Sequence, residues 1–415
     1  MGRIIKLVMV TGENNNKFYD MEELPNGNWK GTWGRIGVTS TSREFPMSKW
    51  EKKYREEIKK GYKDVTDLLT VETHEGKKAN QLDADFKAGR ASAVIEIVKK
   101  LQAYAKHSIA LNYTVKVANV TQRQVDTAQE CLNDLANSTI SDGNLRYINS
   151  KLLELYTIIP RRMKNTKDYL LKESESASSQ EEFYKDLLFN EQQTLDVMAG
   201  QVKLHTDTDE MVDEEVDSAV DIIEASGLEI VEISDAEIQV IKSKMENGHH
   251  HKFRRAFKVV NKSSQALYDA HLKKSDNQYT ELFWHGSKNE NWWSILTTAL
   301  KIRPANASYQ GSMYGDGIYF AREFDKSLGY TSFKGSRWVN GTSNSAFLGL
   351  FHVHLGKQLI YERWDTSCYS LSGNVLKTKG YDSTYAKKGI SLHRDEFIIY
   401  NTAQCTIGYI VEIER

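Results

Sequence analysis

Three hydrophobic patterns succeed one another along the chain. In residues 1–75, short apolar runs stand between turn signals. Arg3 to Val10 has strand composition, and Lys17 to Leu24 and Asn28 to Gly37 flank Pro25-Asn26-Gly27, a hairpin signal. Ser48-Lys49-Trp50-Glu51 has capping-box spacing and predicts a helix with Trp50, Tyr54 and Ile58 as its apolar stripe, stopped at Gly61. From residue 89 to 204 the apolar positions recur at three and four: Val94, Ile97, Leu101, Tyr104; Val125, Ala128, Leu132, Leu135; Leu145, Ile148, Leu152, Leu155, until Pro160 ends that helix. Phe183, Leu187, Leu195 and Met198 mark a later helix. After Leu228 short strand patterns return, as in Phe253–Val260, Phe351–Leu355 and Ile407–Ile413.

The predicted class is multidomain α+β. It comprises a small β-rich domain with one helix (1–75), a polar linker (76–88), an all-α bundle (89–204) and an antiparallel-sheet α+β domain (205–415). Length agrees, since 415 residues imply roughly two to four domains. An acidic run from His205 to Asp217 opens the last segment and reads first as a flexible linker.

Charge changes the picture locally, because a net charge of -1 conceals imbalance. Lys49, Lys52, Lys53, Arg55, Lys59 and Lys60 crowd the first helix, either as a solvated face or as a phosphate-binding one. Three scattered cysteines give neither a disulfide framework nor a C-x-x-C metal pattern, which points to a reducing intracellular compartment. No signal peptide or long apolar run is expected, and so no membrane association.

Candidate chemistry gathers late in the chain. Glu281 to Trp284 suits a buried strand, and it runs into His285-Gly286-Ser287. Two further stretches read as partners: Met313-Tyr314-Gly315-Asp316-Gly317-Ile318-Tyr319-Phe320-Ala321 and Asp395-Glu396-Phe397-Ile398-Ile399-Tyr400. Together they predict a site of His285, Tyr319 and Glu396. Taken singly, each has a plainer use: a satisfied structural histidine, a core tyrosine, a solvent-facing glutamate. His249-His250-His251 is read as structural rather than metal-binding, His352 and His354 as surface or locally paired, and Gly373 to Gly389 as a long lysine-bearing loop.

In that order the three late stretches resemble the catalytic domain of poly(ADP-ribose) polymerases, with the motifs H-G-S, G-x-G-I-Y-F-A and a glutamate heading a final apolar strand. Trp33-Gly34-Arg35, with Gly37 two residues on, resembles the motif of a WGR domain. Leu155-Tyr156-Thr157-Ile158-Ile159-Pro160 resembles the close of the family's regulatory helical domain. The resemblance implies a DNA-break-activated enzyme without zinc fingers that uses NAD as a substrate and needs no metal. It would release nicotinamide and build poly(ADP-ribose) on itself and other proteins; self-modification gives the acidic run a second use. Alternatives are transfer of a single ADP-ribose unit, or a DNA-end binder with an inactive transferase domain.

By the same resemblance, Glu396 contacts the 2′-hydroxyl of the nicotinamide ribose and activates the acceptor. His285 holds the adenosine ribose, and Gly286, Ser287 and Ser327 line the carboxamide end. Tyr330 and Tyr319 flank the nicotinamide ring. Trp33 and Arg35 meet a DNA end, with Lys49, Lys52 and Lys53 on phosphates. Location follows the DNA: the nucleus in a eukaryote, the cytoplasm or nucleoid in a bacterium. Asp316 and Ser312 depart from the Lys and Tyr of the family's best-known polymerases, which places chain length in question. Independently, Gly315-Asp316-Gly317 is a bare G-x-G entering a strand, not the strand–G-x-G-x-x-G–helix of a hydride-transfer enzyme.

Overall fold

The computed structural model describes residues 2–38, 40–69, 86–114, 120–210, 221–302 and 312–415. Residues 76–85 of the expected linker and 211–217 of the acidic run lie outside the described residues. The chain forms two compact units, Met1–Gln81 with Ser108–Val202, and Leu82–His107 with Lys203–Arg415.

In the first unit, β1 (Ile4–Thr11), β2 (Asn15–Glu23), β3 (Asn28–Arg35), β4 (Thr41–Pro46) and β5 (Lys63–Asp64) make one antiparallel sheet in the order β4-β3-β2-β1-β5. The β2–β3 turn closes at Gly27, whose φ of 78° only glycine adopts freely. Helix α1 (Trp50–Lys59) lays Trp50 edge-on against Trp29, 5.6 Å away, over Ile5, Leu7, Tyr19 and Met21.

Two expectations fail on this helix. No capping box forms, because a 3-10 turn at Met47–Lys49 already encloses Ser48 and leaves Lys49 as the first flanking residue. Ile58 is exposed and Glu57 is buried instead, since successive steps of four and three from Trp50 through Tyr54 reach 57 rather than 58.

Helices α2 (Thr66–Leu69), α3 (Ser92–Asn112), α4 (Gln122–Ala136), α5 (Leu145–Ile158) and α6 (Glu181–Glu210) follow. The expected stripes of α4 and α5 are buried throughout. In α6, Phe183 is exposed and its neighbour Tyr184 turns inward, where its hydroxyl donates to the Leu135 carbonyl at 2.7 Å. Helix α5 stops where sequence predicts, because Ile159 takes the extended conformation demanded before Pro160.

The second unit carries α7 (Ile222–Ala225), β6 (Leu228–Glu232), α8 (Asp235–Ser243), β7 (Phe253–Asn261), α9 (Lys262–Lys274), β8 (Glu281–Gly286), α10 (Trp292–Thr298), β9 (Ile318–Phe320) and α11 (Phe324–Leu328). It ends with β10 (Ser345–Val353), β11 (Gln358–Tyr361), α12 (Gly373–Thr378), β12 (Ser383–Ala386), β13 (Glu396–Ile399) and β14 (Cys405–Glu414). Two sheets run β6-β7-β14-β10-β8 and β11-β12-β13-β9.

The first sheet is antiparallel, as expected. The second contains one parallel pair, β11–β12, because the chain between them crosses back through α12. Gly373 to Gly389 is therefore helix and strand rather than a loop. His354 is buried, not on the surface, with its ring nitrogen 2.8 Å from that of His271. Among the described residues no helix is long and apolar enough to cross a membrane.

Candidate active site

The site is assembled by strand pairing. β8 carries His285 and Gly286, and its Trp284 pairs with Ala321 just beyond β9. β9 carries Tyr319, which pairs with Ile398 of β13, the strand that Glu396 opens. Three segments distant in sequence thus lie side by side.

The half-buried His285 ring is held edge-on by Trp292, Phe320 and Phe351. Its Nδ1 lies 3.0 Å from the Tyr319 carbonyl oxygen. A carbonyl only accepts, so Nδ1 carries the proton and Nε2 presents a lone pair. Burial lowers the imidazole below its ordinary value, the Tyr319 carbonyl opposing, and favours this neutral form. The Tyr319 hydroxyl donates to the Gly315 carbonyl at 2.9 Å and accepts from the Tyr314 amide at 3.0 Å, fixing the turn ahead of β9.

Gly286 touches α11 so closely that a Cβ would overlap the Ser327 carbonyl oxygen. Residue 286 must be glycine for this approach, which joins the H-G-S turn to the helix bearing Lys326 and Ser327. The Ser287 hydroxyl accepts from the Asn291 side chain at 2.9 Å, and so helps hold the turn into α10. Tyr330 stacks on Trp338, with centroids 6.1 Å apart and 24° between planes.

Glu396 is 5% exposed. Its Oε1 lies 2.5 Å from the Lys326 ammonium, while buried Oε2 has no protein partner. Burial pushes the carboxyl above its ordinary value and Lys326 offsets part of that rise. Contacts thus run from Glu396 to Lys326, along α11 to Ser327, across to Gly286 and His285, and on to Tyr319. The sequence by itself gives Lys326 no role. Its signal is a cation directly before Ser327, meaningful only once β13 is placed beside α11.

Asp316 donates its amide to the Leu371 carbonyl at 2.9 Å. His249 contributes Nε2 to Asp325 at 3.4 Å, and among the described residues no cluster of three or more metal-ligating side chains occurs.

A second candidate surface lies wholly within the first unit. It is an open groove of about 870 Å³ lined by Trp33, Arg35, Lys53, Tyr19, Lys17, Arg43, Lys60 and Tyr62, with Glu57 as its carboxylate. Trp33 lies parallel to Tyr19, centroids 5.5 Å apart, so one indole face is already covered. Arg35 grips the Asn14 carbonyl and side chain, both at 2.9 Å, and reaches the Lys164 carbonyl at 3.5 Å.

Lys53 and Lys60 both bind Glu57, at 2.7 and 2.8 Å. Its burial works to raise the carboxyl, but the two lysines outweigh that and hold it below the ordinary range. Lys49 and Lys52 do not line the groove. Lys52 is about 100° round the helix from Lys53, and Lys49 belongs to the preceding 3-10 turn. Lys60, one of the basic residues crowding the helix, does line the groove, whereas Lys17, Arg43 and the two tyrosines were missed because they come from separate strands and turns.

Comparison with known proteins agrees with this architecture. The family described as "Poly(ADP-ribose) polymerase catalytic domain" matches residues 235–415. A putative poly(ADP-ribose) polymerase-like protein, 100L of Invertebrate iridescent virus 6, is 36% identical over 151 residues, covering 36% of this chain and 78% of that protein. Poly(ADP-ribose) polymerase 2 of Arabidopsis thaliana is 24% identical over 97% of this chain and 71% of its own length. Human protein mono-ADP-ribosyltransferase PARP3 is 23% identical over 96% of this chain and 85% of its own. With these likenesses, and with contacts that join the H-G-S turn to a buried glutamate, the chain belongs to the poly(ADP-ribose) polymerase family and is an NAD+ ADP-ribosyltransferase.

Proposed function

We propose that this enzyme is switched on by DNA ends or nicks, modifies itself and neighbouring proteins, and extends the modification into poly(ADP-ribose). The observation that carries the catalytic part is the contact chain from Glu396 through Lys326, Ser327 and Gly286 to His285 and Tyr319. In this reading the Gly286 backbone and the Ser327 hydroxyl hold the carboxamide, with Ser287 bracing the turn. Tyr330 and Tyr319 flank the nicotinamide ring, and the His285 Nε2 lone pair accepts from an adenosine-ribose hydroxyl.

The glycosidic bond between nicotinamide and C1′ breaks, with its electron pair leaving on nicotinamide, and positive charge develops on the ribose. The acceptor oxygen bonds to C1′ and its proton passes to Glu396. Glu396 Oε2 also takes a hydrogen bond from the ribose 2′-hydroxyl, an electrostatic brace for the cationic state.

This assignment fixes a pH dependence. Both Glu396 and His285 must be unprotonated. Burial raises the first above its ordinary 4.5 and lowers the second below its ordinary 6.5, so both limbs of the profile are losses on the acid side. The rate of nicotinamide release is expected to fall on acidification, with the Glu396 limb setting in at a higher pH than an ordinary carboxyl would give. A flat profile there removes one or both groups from the mechanism.

DNA activation rests on the groove of the first unit. Its exposed indole face stacks on an unpaired or terminal base without reading sequence, while its lysines and arginines bind phosphates. Nicotinamide release is expected to rise when a nicked or blunt duplex is added. Trp33→Ala is expected to raise the half-maximal DNA concentration by roughly 10-fold, because aromatic–base stacking is worth about 1–3 kcal/mol. Equal turnover of the wild type with and without DNA excludes the switch. A second reading, transfer of a single unit, is favoured by Asp316, an anion where an incoming pyrophosphate-bearing chain is expected. A gel of self-modified protein separates ladder from single band.

A further inference from the structure

Residues 332–343 follow Tyr330 and form a loop that closes on itself. Phe333 bridges Ser343, the Ser343 amide donates to the Ser332 carbonyl at 2.9 Å, and the Lys334 amide donates to the Ser343 carbonyl at 2.7 Å. Inside it, the Gly341 amide donates to the Ser336 hydroxyl at 2.8 Å, and a Cβ at 341 would overlap the Phe333 carbonyl oxygen. Asn340 sits at a φ of 49°, in the left-handed region. Such a loop holds one shape before any ligand arrives.

What it presents is an indole. Phe333 of this loop is buried in the core, but Trp338 is 37% exposed, so burial in a core does not explain it. Its amide donates to the Gly329 carbonyl at 2.9 Å. A Cβ on Gly329 would stand 2.7 Å from the indole Cδ1, so glycine is what lets the ring settle there. From that seat Trp338 lies nearly parallel to Tyr330, and the Arg337 guanidinium stands 4.9 Å from the indole centroid. An arginine, an indole and a phenol therefore lie in contact one after another.

We infer that Trp338 is a positioning residue for NAD. It backs one face of Tyr330 and so presents the opposite face, at a fixed tilt, to the nicotinamide ring. The inference rests on the reading of Tyr330 as the ring that meets nicotinamide. A tyrosine already locked by a neighbour loses no rotamer freedom when the substrate docks, and this advantage corresponds to roughly 3- to 10-fold in affinity. Arg337 adds a cation–π contact to the same indole.

The experiment compares Trp338→Ala, Trp338→Phe, Trp338→Leu and Tyr330→Ala in the full chain. It reads KM for NAD, kcat, and inhibition by nicotinamide and by ADP-ribose, which lacks the ring. Trp338→Ala and Trp338→Leu are expected to raise KM and the nicotinamide inhibition constant together, roughly 3- to 10-fold. kcat and ADP-ribose inhibition stay as in the wild type, and Phe restores affinity. Unchanged nicotinamide inhibition in the Ala or Leu variant, with a clear loss in Tyr330→Ala, overturns the role of Trp338 and leaves that of Tyr330 intact. Tyr330→Ala with no loss overturns the reading of Tyr330 and the inference with it. Should Trp338→Ala not fold, the Leu and Phe pair decides: equal behaviour of the two excludes a need for a ring.

Discussion

Glu396→Gln is expected to lower NAD-dependent transfer by roughly 10²–10⁴-fold, the usual contribution of a positioned general base. The substitution keeps the shape of the side chain. It removes the negative charge that Lys326 faces at 2.5 Å and the basic oxygen that no protein group occupies. A buried carboxylate oxygen left without a partner is costly, and such groups concentrate where a substrate completes the set. Nicotinamide release and polymer gels measure the loss, while nicotinamide affinity, read by calorimetry, should stay close to wild type if Gly286 and Ser327 hold the carboxamide as proposed. Wild-type turnover in this variant would falsify the role of Glu396.

The largest expected effect on stability belongs to Glu412, which is fully buried on β14. One carboxylate oxygen lies 2.5 Å from the Lys100 ammonium of α3 and 3.2 Å from the Ser345 hydroxyl. The other accepts from Arg255 Nε at 2.6 Å, and Arg255 in turn clamps Glu96 of α3 at 2.7 Å. Burial favours the neutral acid, but the bonds from Lys100 and Arg255 prevail and hold the carboxyl below its ordinary value.

Glu412→Ala is expected to cost about 3 kcal/mol, the low end for breaking a buried pair, because both cations keep some access to water. Denaturant unfolding measures it. The sign with pH follows from the lowered carboxyl. Its contribution is complete above the ordinary value of 4.5 and fades as pH falls through the folded-state value. The gap between wild type and variant should therefore narrow in acid; a gap that widens there contradicts the network.

Some of this molecule can be read residue by residue. The Pro25-Asn26-Gly27 turn, the end of α5 before Pro160 and the stripes of α4 and α5 depend on φ preferences and on the 3.6-residue period, both local properties. The His285, Tyr319 and Glu396 stretches were also visible, because each couples a short apolar strand to a polar end. The failures share a cause. Ser48 has the right neighbours for a cap, but a preceding 3-10 turn takes the position. Phe183 and Tyr184 differ by one step around α6, and packing against Leu135 chose the second. His354 looks like any alternating strand residue until α9 brings His271 against it.

The sequence alone determined the Pro25-Asn26-Gly27 turn and the stripes of α4 and α5, where the stiff and permissive residues fall, and which groups have chemistry to offer. Only the tertiary structure decided that Lys326 faces Glu396, that Gly286 must be bare against Ser327, that Lys53 but not Lys52 lines the basic groove, and that an indole backs Tyr330. Local propensity acts over a few residues. Each of those pairings is set instead by sheet register, loop closure or helix rotation, and a shift of one residue or one helical step would undo it.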